Sequence, residues 1–219
     1  MYSKNLKIGI LGSGIVGQVL SKAFLTEGNT VMLGTRDVNK PEIVKWKTEN
    51  PQAQIGSFQQ TAQFGDMLIL AMKGDVAVSA IKLGGIENFK NKTVIDATNP
   101  IANEAPVNGV LKFFTNYNES LMEQIQKAIP EAKLVKAFNS VGNALMYKPK
   151  LSGGTPTMFI CGNDDAAKKT VKEILTTFGW ETEDMGKVEA ARAIEPLCTL
   201  WCIPGLVGND WMHAFKLIR

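Results

Sequence analysis

Six residues near the N-terminus have the spacing of a phosphate-binding turn. The stretch GSGIVG, from Gly12 to Gly17, is a G-x-G-x-x-G that follows an apolar run and precedes a helical pattern. That strand–turn–helix context separates a dinucleotide-binding turn from a glycine-rich turn without a ligand. Gly12 permits the tight turn, Gly14 lets the backbone approach a pyrophosphate, and Gly17 lets the helix pack close to the strand. Free N–H groups at the helix start then face the phosphates, so the sequence predicts dinucleotide binding.

The end of the next apolar run distinguishes the two common dinucleotides. A chain that binds NAD usually has Asp or Glu there for the ribose hydroxyls, whereas a chain that binds NADP has Arg for the 2′-phosphate. The segment VMLGTRDVNK supplies a hydroxyl from Thr35, a guanidinium fork from Arg36 and a point charge from Lys40. These residues favour NADP(H), unless the strand ends later than expected and Asp37 binds the ribose.

Three further predicted strands deliver residues to the same edge, because ligands in open α/β sheets bind at the carboxyl ends of the strands. Asn99 and Asn139 offer amides that can hold a nicotinamide carboxamide or an acceptor ring, although Asn and Ser also serve as cap or turn residues. The predicted cofactor contacts are Gly12, Gly14, Gly17, Thr35, Arg36, Lys40, Ala71, Met72, Lys73, Asn99, Pro100, Ala137 and Asn139. The predicted lining of the transfer site is Asn99, Pro100, Asn139 and Ser140.

The sequence contains no obvious general acid for reducing a carbonyl. None of the tyrosines is followed by lysine four residues later, and the single histidine, His213, lies near the C-terminus, where a packing or surface role is expected. That absence favours hydride transfer between two redox cofactors, where positioning of the rings dominates and solvent can supply a proton. Lys73 and Lys136 remain as alternative proton donors.

Apolar strands alternate with helical patterns over the first 150 residues. Continuous apolar strands of this kind predict a parallel sheet covered on both faces, a doubly wound Rossmann-type α/β domain. A helix is expected from Ile15 to about Glu27, ended by Gly28, and another is opened by Pro41. Residues 151–219 read as strand, helix, strand and a final helical stretch interrupted at Pro204-Gly205 and followed by a last turn. We predict a domain over residues 1–150 and a small α/β appendage over 151–219 that completes the acceptor site.

Composition excludes several classes of protein. A net charge of +3 with no basic block does not indicate nucleic-acid binding. No stretch approaches the roughly 20 apolar residues of a membrane helix, so no membrane partner and a cytoplasmic location are expected. The three cysteines, Cys161, Cys198 and Cys202, fit buried thiols in a reducing compartment, and one histidine is too few for a metal site.

Several segments, taken together, resemble one protein family, the NADP oxidoreductases that depend on the deazaflavin coenzyme F420. They are also similar to the cytosolic reductase domain of the six-transmembrane metalloreductases. The resemblance extends in order from about Lys7 to Leu197. It is carried by the segments GSGIVGQ, LGTRDVNK, DATNP, LVKAFNSVG, FICGNDDAAKKTVKEIL and EDMGKVEAARAIEPL.

The resemblance implies NADP contacts from Ser13, Gly14, Ile15 and Val16 at the glycine turn, and 2′-phosphate contacts from Thr35, Arg36 and Lys40. It further implies a deazaflavin or flavin ring against the nicotinamide, and a homodimer. Two segments depart from the archaeal pattern, Lys73-Gly74-Asp75-Val76 in place of a Pro-Trp type and Asn139-Ser140 in place of a His-Thr type. The family's cofactor-binding residues therefore match this sequence better than its acceptor-binding residues do.

The leading hypothesis is an enzyme that passes a hydride between NADP(H) and a small-molecule acceptor, which is F420, FMN or FAD. One alternative is an imine or small-carbonyl reductase related to pyrroline-carboxylate reductases, which usually continue into a longer helical domain. The other is a non-catalytic NADP-binding sensor whose partner binding depends on the nucleotide.

Overall fold

A six-stranded parallel sheet forms the centre of the protein in a computed structural model that describes residues 5–219. Residues 1–4 of the predicted first domain lie outside the described residues. The strand order is 3-2-1-4-5-6, and all five pairings are parallel. The strands are β1 (Lys7–Leu11), β2 (Thr30–Gly34), β3 (Gln54–Gly56), β4 (Met67–Leu70), β5 (Thr93–Asp96) and β6 (Lys133–Lys136). The predicted doubly wound Rossmann-type fold is confirmed.

Helices cover both faces of this sheet because its central strands are apolar on both sides. One buried cluster includes Leu20, Phe24 and Phe178, and the other includes Ile81 and Met122. Burying each such side chain contributes about 1.5–3 kcal/mol. The helices of this domain are α1 (Ile15–Thr26), α2 (Pro41–Glu49), α3 (Phe58–Phe64), α4 (Ala77–Gly84) and α5 (Leu121–Ala128).

The strand order reverses at β1, whose neighbours are β2 on one side and β4 on the other. A crevice opens at such a reversal, outside the carboxyl ends of the strands, because the following loops run in opposite directions. The loops after β1, β2, β4, β5 and β6 all leave from this edge. The topology thus brings together the segments in which the candidate site residues lie.

The C-terminal portion builds a second, two-stranded parallel sheet from β7 (Thr157–Ile160) and β8 (Glu181–Asp184), joined by α6 (Asp165–Thr177). The backbone N–H of Lys136 donates to the carbonyl of Cys161 at 3.0 Å and ties this unit to β6. Asp164 caps α6 by accepting a hydrogen bond from Ala167 N at 2.8 Å. The domain boundary near residue 150 stays a prediction.

The last helical stretch does not break where the sequence predicts. It consists of α7 (Ala191–Ile194) and α8 (Pro196–Gly208), and α8 continues through Pro204. Pro204 has no N–H to donate to the carbonyl of Leu200, yet the helix continues through it to Gly208. Gly205 lies against the ring of Trp211, which a Cβ would approach to 2.2 Å. The predicted interruption and final turn are wrong.

Val188–Gly208 is the one helical segment within the described residues that is long and apolar enough to cross a membrane. This finding corrects the expectation that no stretch approaches that length. Length and composition alone do not separate a membrane helix from a helix of a globular core. Within this segment the carboxylate of Glu195 is buried against Lys136, which anchors the segment to the sheet.

Candidate functional site

The glycine turn joins β1 to α1 under tight steric constraint. Gly12 has φ +119°, and a Cβ there would lie 2.2 Å from the carbonyl oxygen of Ala71. A Cβ at Gly17 would lie 1.9 Å from the carbonyl oxygen of Gly12, so α1 packs directly on the turn. Both glycines are required by the protein's own backbone.

Gly14 differs from these two glycines because it faces open space. No atom of the described residues comes within 4 Å of a Cβ built on it, and its φ of −70° suits any residue. Gly14 is the N-cap of α1, a helix that has no side-chain cap and no acidic residue in its first turn within the described structure. The first N–H groups have no intrahelical partner, so they present an anion site that fits a pyrophosphate.

Strand β2 ends at Gly34, so Thr35, Arg36 and Asp37 belong to the loop that follows it. Thr35 is buried, and its hydroxyl donates to the carbonyl of Asp37 at 3.2 Å. Asp37 itself accepts a hydrogen bond from Asn39 N at 2.9 Å, so its carboxylate closes a local turn. The strand therefore does not extend to Asp37, and the arrangement that would favour a ribose contact from this residue is absent.

A cleft of about 680 Å³ runs over the glycine turn and the end of β2. Arg36 is exposed beside it, and Lys40 lies 3.8 Å from Glu42. The residues that line the cleft are Gly12, Ser13, Gly14, Ile15, Val16, Thr35, Arg36, Lys40, Glu42, Phe58, Ala71, Met72, Lys73, Val76, Ser79, Ala80, Leu83 and Ala97. The sequence did not predict that Glu42, Phe58 and the α4 residues line this cleft. Phe58 could have been recognised, because it is the apolar residue that opens α3.

The two predicted amides are bonded to each other. Asn99 Nδ2 donates to the carbonyl of Asn139 at 2.7 Å, and Asn139 Nδ2 lies 3.2 Å from Asn99 Oδ1 and 3.0 Å from the carbonyl of Ile194. Asn139 is buried, as are Pro100, Ala137 and Ser140. These hydrogen bonds join the two loops and use only one of the two N–H donors of Asn99. That the amides hold a ligand stays a prediction.

A smaller cleft of about 230 Å³ continues from the first. It shares Met72, Lys73 and Ala97 with the larger cleft and adds Asn99 from the predicted transfer site. Its remaining lining residues are Gly74, Asp75, Ile101, Ala102 and Asn103. Two adjoining clefts at the carboxyl edge can hold two ligands in contact.

A buried ion cluster lies behind this smaller cleft. Lys136 Nζ is 2.7 Å from Asp96 Oδ2, 2.9 Å from Glu195 Oε1 and 3.0 Å from the carbonyl of Thr98. Burial disfavours the ammonium, but the two carboxylates outweigh it and raise the pKa of Lys136 above its usual range. Since Lys136 is fully buried, it does not reach a ligand, and the alternative that it donates a proton is wrong. Lys73 is exposed at the clefts.

The cysteines and the histidine lie outside both clefts. Burial raises the pKa of the Cys161 thiol to about 12. His213 stacks on Trp201 with ring centroids 5.1 Å apart, which is the packing role expected for it. Among residues 5–219 no group of three or more metal-ligating side chains comes together.

Comparison with known proteins gives concordant results. Residues 7–100 match the family described as NADP oxidoreductase, coenzyme F420-dependent. A crystal structure of a candidate F420-dependent NADP-reductase from Arthrobacter sp. FB24 is 30% identical, covers 98% of this chain and 100% of its own, and superposes with a TM-score of 0.92. The F420-dependent NADP reductase of Methanocaldococcus jannaschii is 29% identical, over 89% of this chain and 90% of its own length.

Rat metalloreductase STEAP3 is 27% identical over 97% of this chain. The alignment spans 42% of the length of STEAP3, so this chain corresponds to less than half of that relative.

Proposed function

The chain belongs to the family of coenzyme F420-dependent NADP oxidoreductases, and from this membership we propose that it passes a hydride between NADP(H) and a deazaflavin or flavin. It is an NADP-dependent oxidoreductase, and the identity of the acceptor is the part that is proposed. The observation that carries the proposal is the pair of adjoining clefts that share Met72, Lys73 and Ala97. A nicotinamide in the first cleft and a ring in the second would meet at these residues.

The residues of the larger cleft have distinct proposed roles. The N–H groups that begin α1 bind the pyrophosphate, and Gly14 leaves room for it. Arg36 and Lys40 bind the 2′-phosphate, Arg36 through two parallel hydrogen bonds and Lys40 as a point charge. When bound, NADP(H) supplies the hydride, and the chain contributes orientation and exclusion of water.

In the smaller cleft we propose that Asn99 and the backbone around Gly74 position the acceptor ring. A Cβ at Gly74 would lie 2.1 Å from the carbonyl oxygen of Asn99, so these two loops are in direct backbone contact. Lys73 is the exposed cation among the residues that line both clefts, and it can balance negative charge on a reduced ring. Any proton required is supplied by solvent or Lys73.

We further propose that the protein is a cytoplasmic homodimer. The apolar helix α8 leaves Leu200 and Val207 exposed, and Tyr117 beside it is 86% exposed. Large exposed apolar side chains on one face are typical of an interaction site. Three free cysteines support a reducing compartment. We propose that residues 151–219 contribute to the acceptor site through α7 and α8, because the carbonyl of Ile194 accepts a hydrogen bond from Asn139 Nδ2.

Anaerobic NADPH oxidation tests the acceptor directly. FMN, FAD and F420 are offered in parallel, with Gly14→Val as a variant expected to fold but not to bind NADPH. Turnover with one acceptor by the unaltered protein, and none by the variant, supports the proposal and names the acceptor. Turnover of a cyclic imine without a flavin would favour an imine reductase, and NADPH binding without any oxidation would favour a sensor.

A further inference from the structure

Lys136 contacts three groups at the acceptor edge, although it lines neither cleft. Its ammonium contacts Asp96 and Thr98 on the β5 loop, and it contacts Glu195 at the junction of α7 and α8. Glu195 in turn accepts hydrogen bonds from the first N–H groups of α5, from Leu121 at 3.0 Å and from Met122 at 2.9 Å. One buried cation thus joins β5, β6, α5 and α8.

The cluster fixes every polar group of Thr98. Asp96 Oδ1 accepts from Thr98 N at 2.9 Å and from Thr98 Oγ1 at 2.6 Å, while Lys136 holds the Thr98 carbonyl. The next residue is Asn99, which lines the smaller cleft and whose carbonyl lies against Gly74. Orientation of the Thr98–Asn99 peptide therefore sets the wall of the acceptor cleft.

Stability alone gives little reason for this arrangement. Burying two carboxylates and one ammonium is costly, and apolar residues of similar volume often stabilise a core as well or better. The charges leave an excess of one negative charge, which the N–H groups of α5 help to balance. What the ion cluster provides that apolar residues would not is a fixed direction for each loop.

We propose that Lys136 is a positioning residue for hydride transfer, acting through Asp96 and Thr98 on the wall of the acceptor cleft. The inference rests on the proposed function, since it assigns that wall to the acceptor. On this proposal Lys136 affects the acceptor half of the site and not the cofactor half, because it contacts neither the glycine turn nor Arg36.

Lys136→Met is the principal test, and Lys168→Met is its matched control. Lys168 is also nearly buried and also pairs with two carboxylates, Asp165 at 3.1 Å and Asp184 at 2.8 Å, but it lies in the β7–α6–β8 unit. Both variants should melt at a lower temperature. Only Lys136→Met should lose hydride-transfer rate, on the order of 100-fold, since misplacement by about 1 Å costs that much. NADPH affinity should stay within about threefold in both, because neither lysine lines the cofactor cleft.

Thr98→Val is the milder variant, needed because Lys136→Met leaves two buried carboxylates without their cation. It removes one hydroxyl that bonds to Asp96 and should lower the transfer rate about tenfold, the effect of one hydrogen bond to a charged group. The inference is overturned if Lys136→Met, or Thr98→Val where the former does not fold, transfers hydride at the rate of Lys168→Met.

Hydrogen exchange of the free protein separates this inference from the proposed function. The backbone amides of Thr98, Asn99 and Ile101 should exchange faster in Lys136→Met and Thr98→Val than in the unaltered protein, with no change in Lys168→Met. If no acceptor is reduced by the unaltered protein, the proposed function is wrong whatever the exchange shows. If exchange at these amides is unchanged, the positioning role is wrong even when hydride transfer is fast.

Discussion

The two halves of the candidate site use charge in opposite ways. In the cofactor half, Arg36 is exposed and Lys40 is partly exposed beside an open cleft. In the acceptor half, Lys136, Asp96 and Glu195 are buried and paired with one another. An exposed cation remains available to bind an anion, whereas a buried and paired cation orders the loops around it. Recognition and positioning are therefore assigned to different charges in the same protein.

Substitutions in the glycine turn should have the largest effects, and they test whether the cofactor half binds NADPH as proposed. Gly12→Val should destabilise the fold by more than about 4 kcal/mol, because φ is +119° and the added carbons collide with the backbone of Ala71. Gly14→Val should leave the melting temperature nearly unchanged but abolish NADPH binding. Thermal unfolding and NADPH titration of both variants provide the measurement. Tight NADPH binding by Gly14→Val would show that the pyrophosphate does not bind at this turn.

Arg36→Ala tests the cofactor half, because it should change the affinity for NADPH but not the affinity for NADH. Losing a bidentate, charge-assisted contact should weaken NADPH by roughly 10- to 100-fold. NADH has no 2′-phosphate, so its affinity should barely change. Fluorescence titration with both dinucleotides gives the comparison, and Lys45→Ala, an exposed position on α2, serves as the control. Equal weakening of both dinucleotides would refute the 2′-phosphate assignment.

The same contrast explains what the sequence could predict. Gly12, Gly14 and Gly17 are close along the chain, and a local strand–turn–helix pattern is sufficient to recognise them. The doubly wound parallel sheet, and the expectation that ligands bind at the carboxyl ends of its strands, followed from the alternation of apolar runs. Thr35 and Arg36 directly follow the end of β2 at Gly34, as the sequence predicts, and their contact with a 2′-phosphate stays a prediction.

The acceptor half depends on contacts that are distant in sequence. Lys136 and Glu195 are 59 positions apart, and the Asn99–Asn139 pair spans 40. A single sequence shows the two asparagines but does not show that they bond to each other. The path of α8 through Pro204 was missed for a related reason, since the packing of Trp211 on Gly205 depends on the fold of the tail.

The N-terminus of α5 gives an intermediate effect that depends on pH. Arg192 and then the Ser120 capping contacts bind Glu123 and lower its pKa to about 2, against the cost of burial. The folded-state pKa lies below the ordinary 4.5, so this stabilisation is present above about pH 4.5 and is lost as the pH falls toward 2.

This contribution to the free energy of unfolding should be on the order of 2 kcal/mol, less than the full pKa shift implies, because solvent screens the partly exposed Arg192. Glu123→Gln should flatten the fall in unfolding free energy over that range. Urea titrations at several pH values provide the measurement, with Glu131→Gln, an exposed pair partner of Lys90, as the control. An unchanged slope in Glu123→Gln would contradict the assigned cause.

Glu42→Gln should produce the smallest effect. Glu42 lines the cofactor cleft and lies 3.8 Å from Lys40, so it competes with a phosphate for this cation. Removing one exposed charge should strengthen NADPH binding roughly two- to fivefold. Titration at low and high salt checks the electrostatic origin, because the gain should shrink as salt rises. Weaker binding would show that Glu42 supports the ligand instead.

We propose that a hydride passes directly between two rings held in the adjoining clefts. The most direct test of this transfer is a single anaerobic turnover with NADPH deuterated at carbon 4 of the nicotinamide and F420 as acceptor. The reduced deazaflavin carries its new hydrogen on carbon, so direct transfer places deuterium there, and a primary isotope effect slows the step. Reduced F420 that contains only solvent hydrogen, or no reduction at all, would contradict the account for this acceptor.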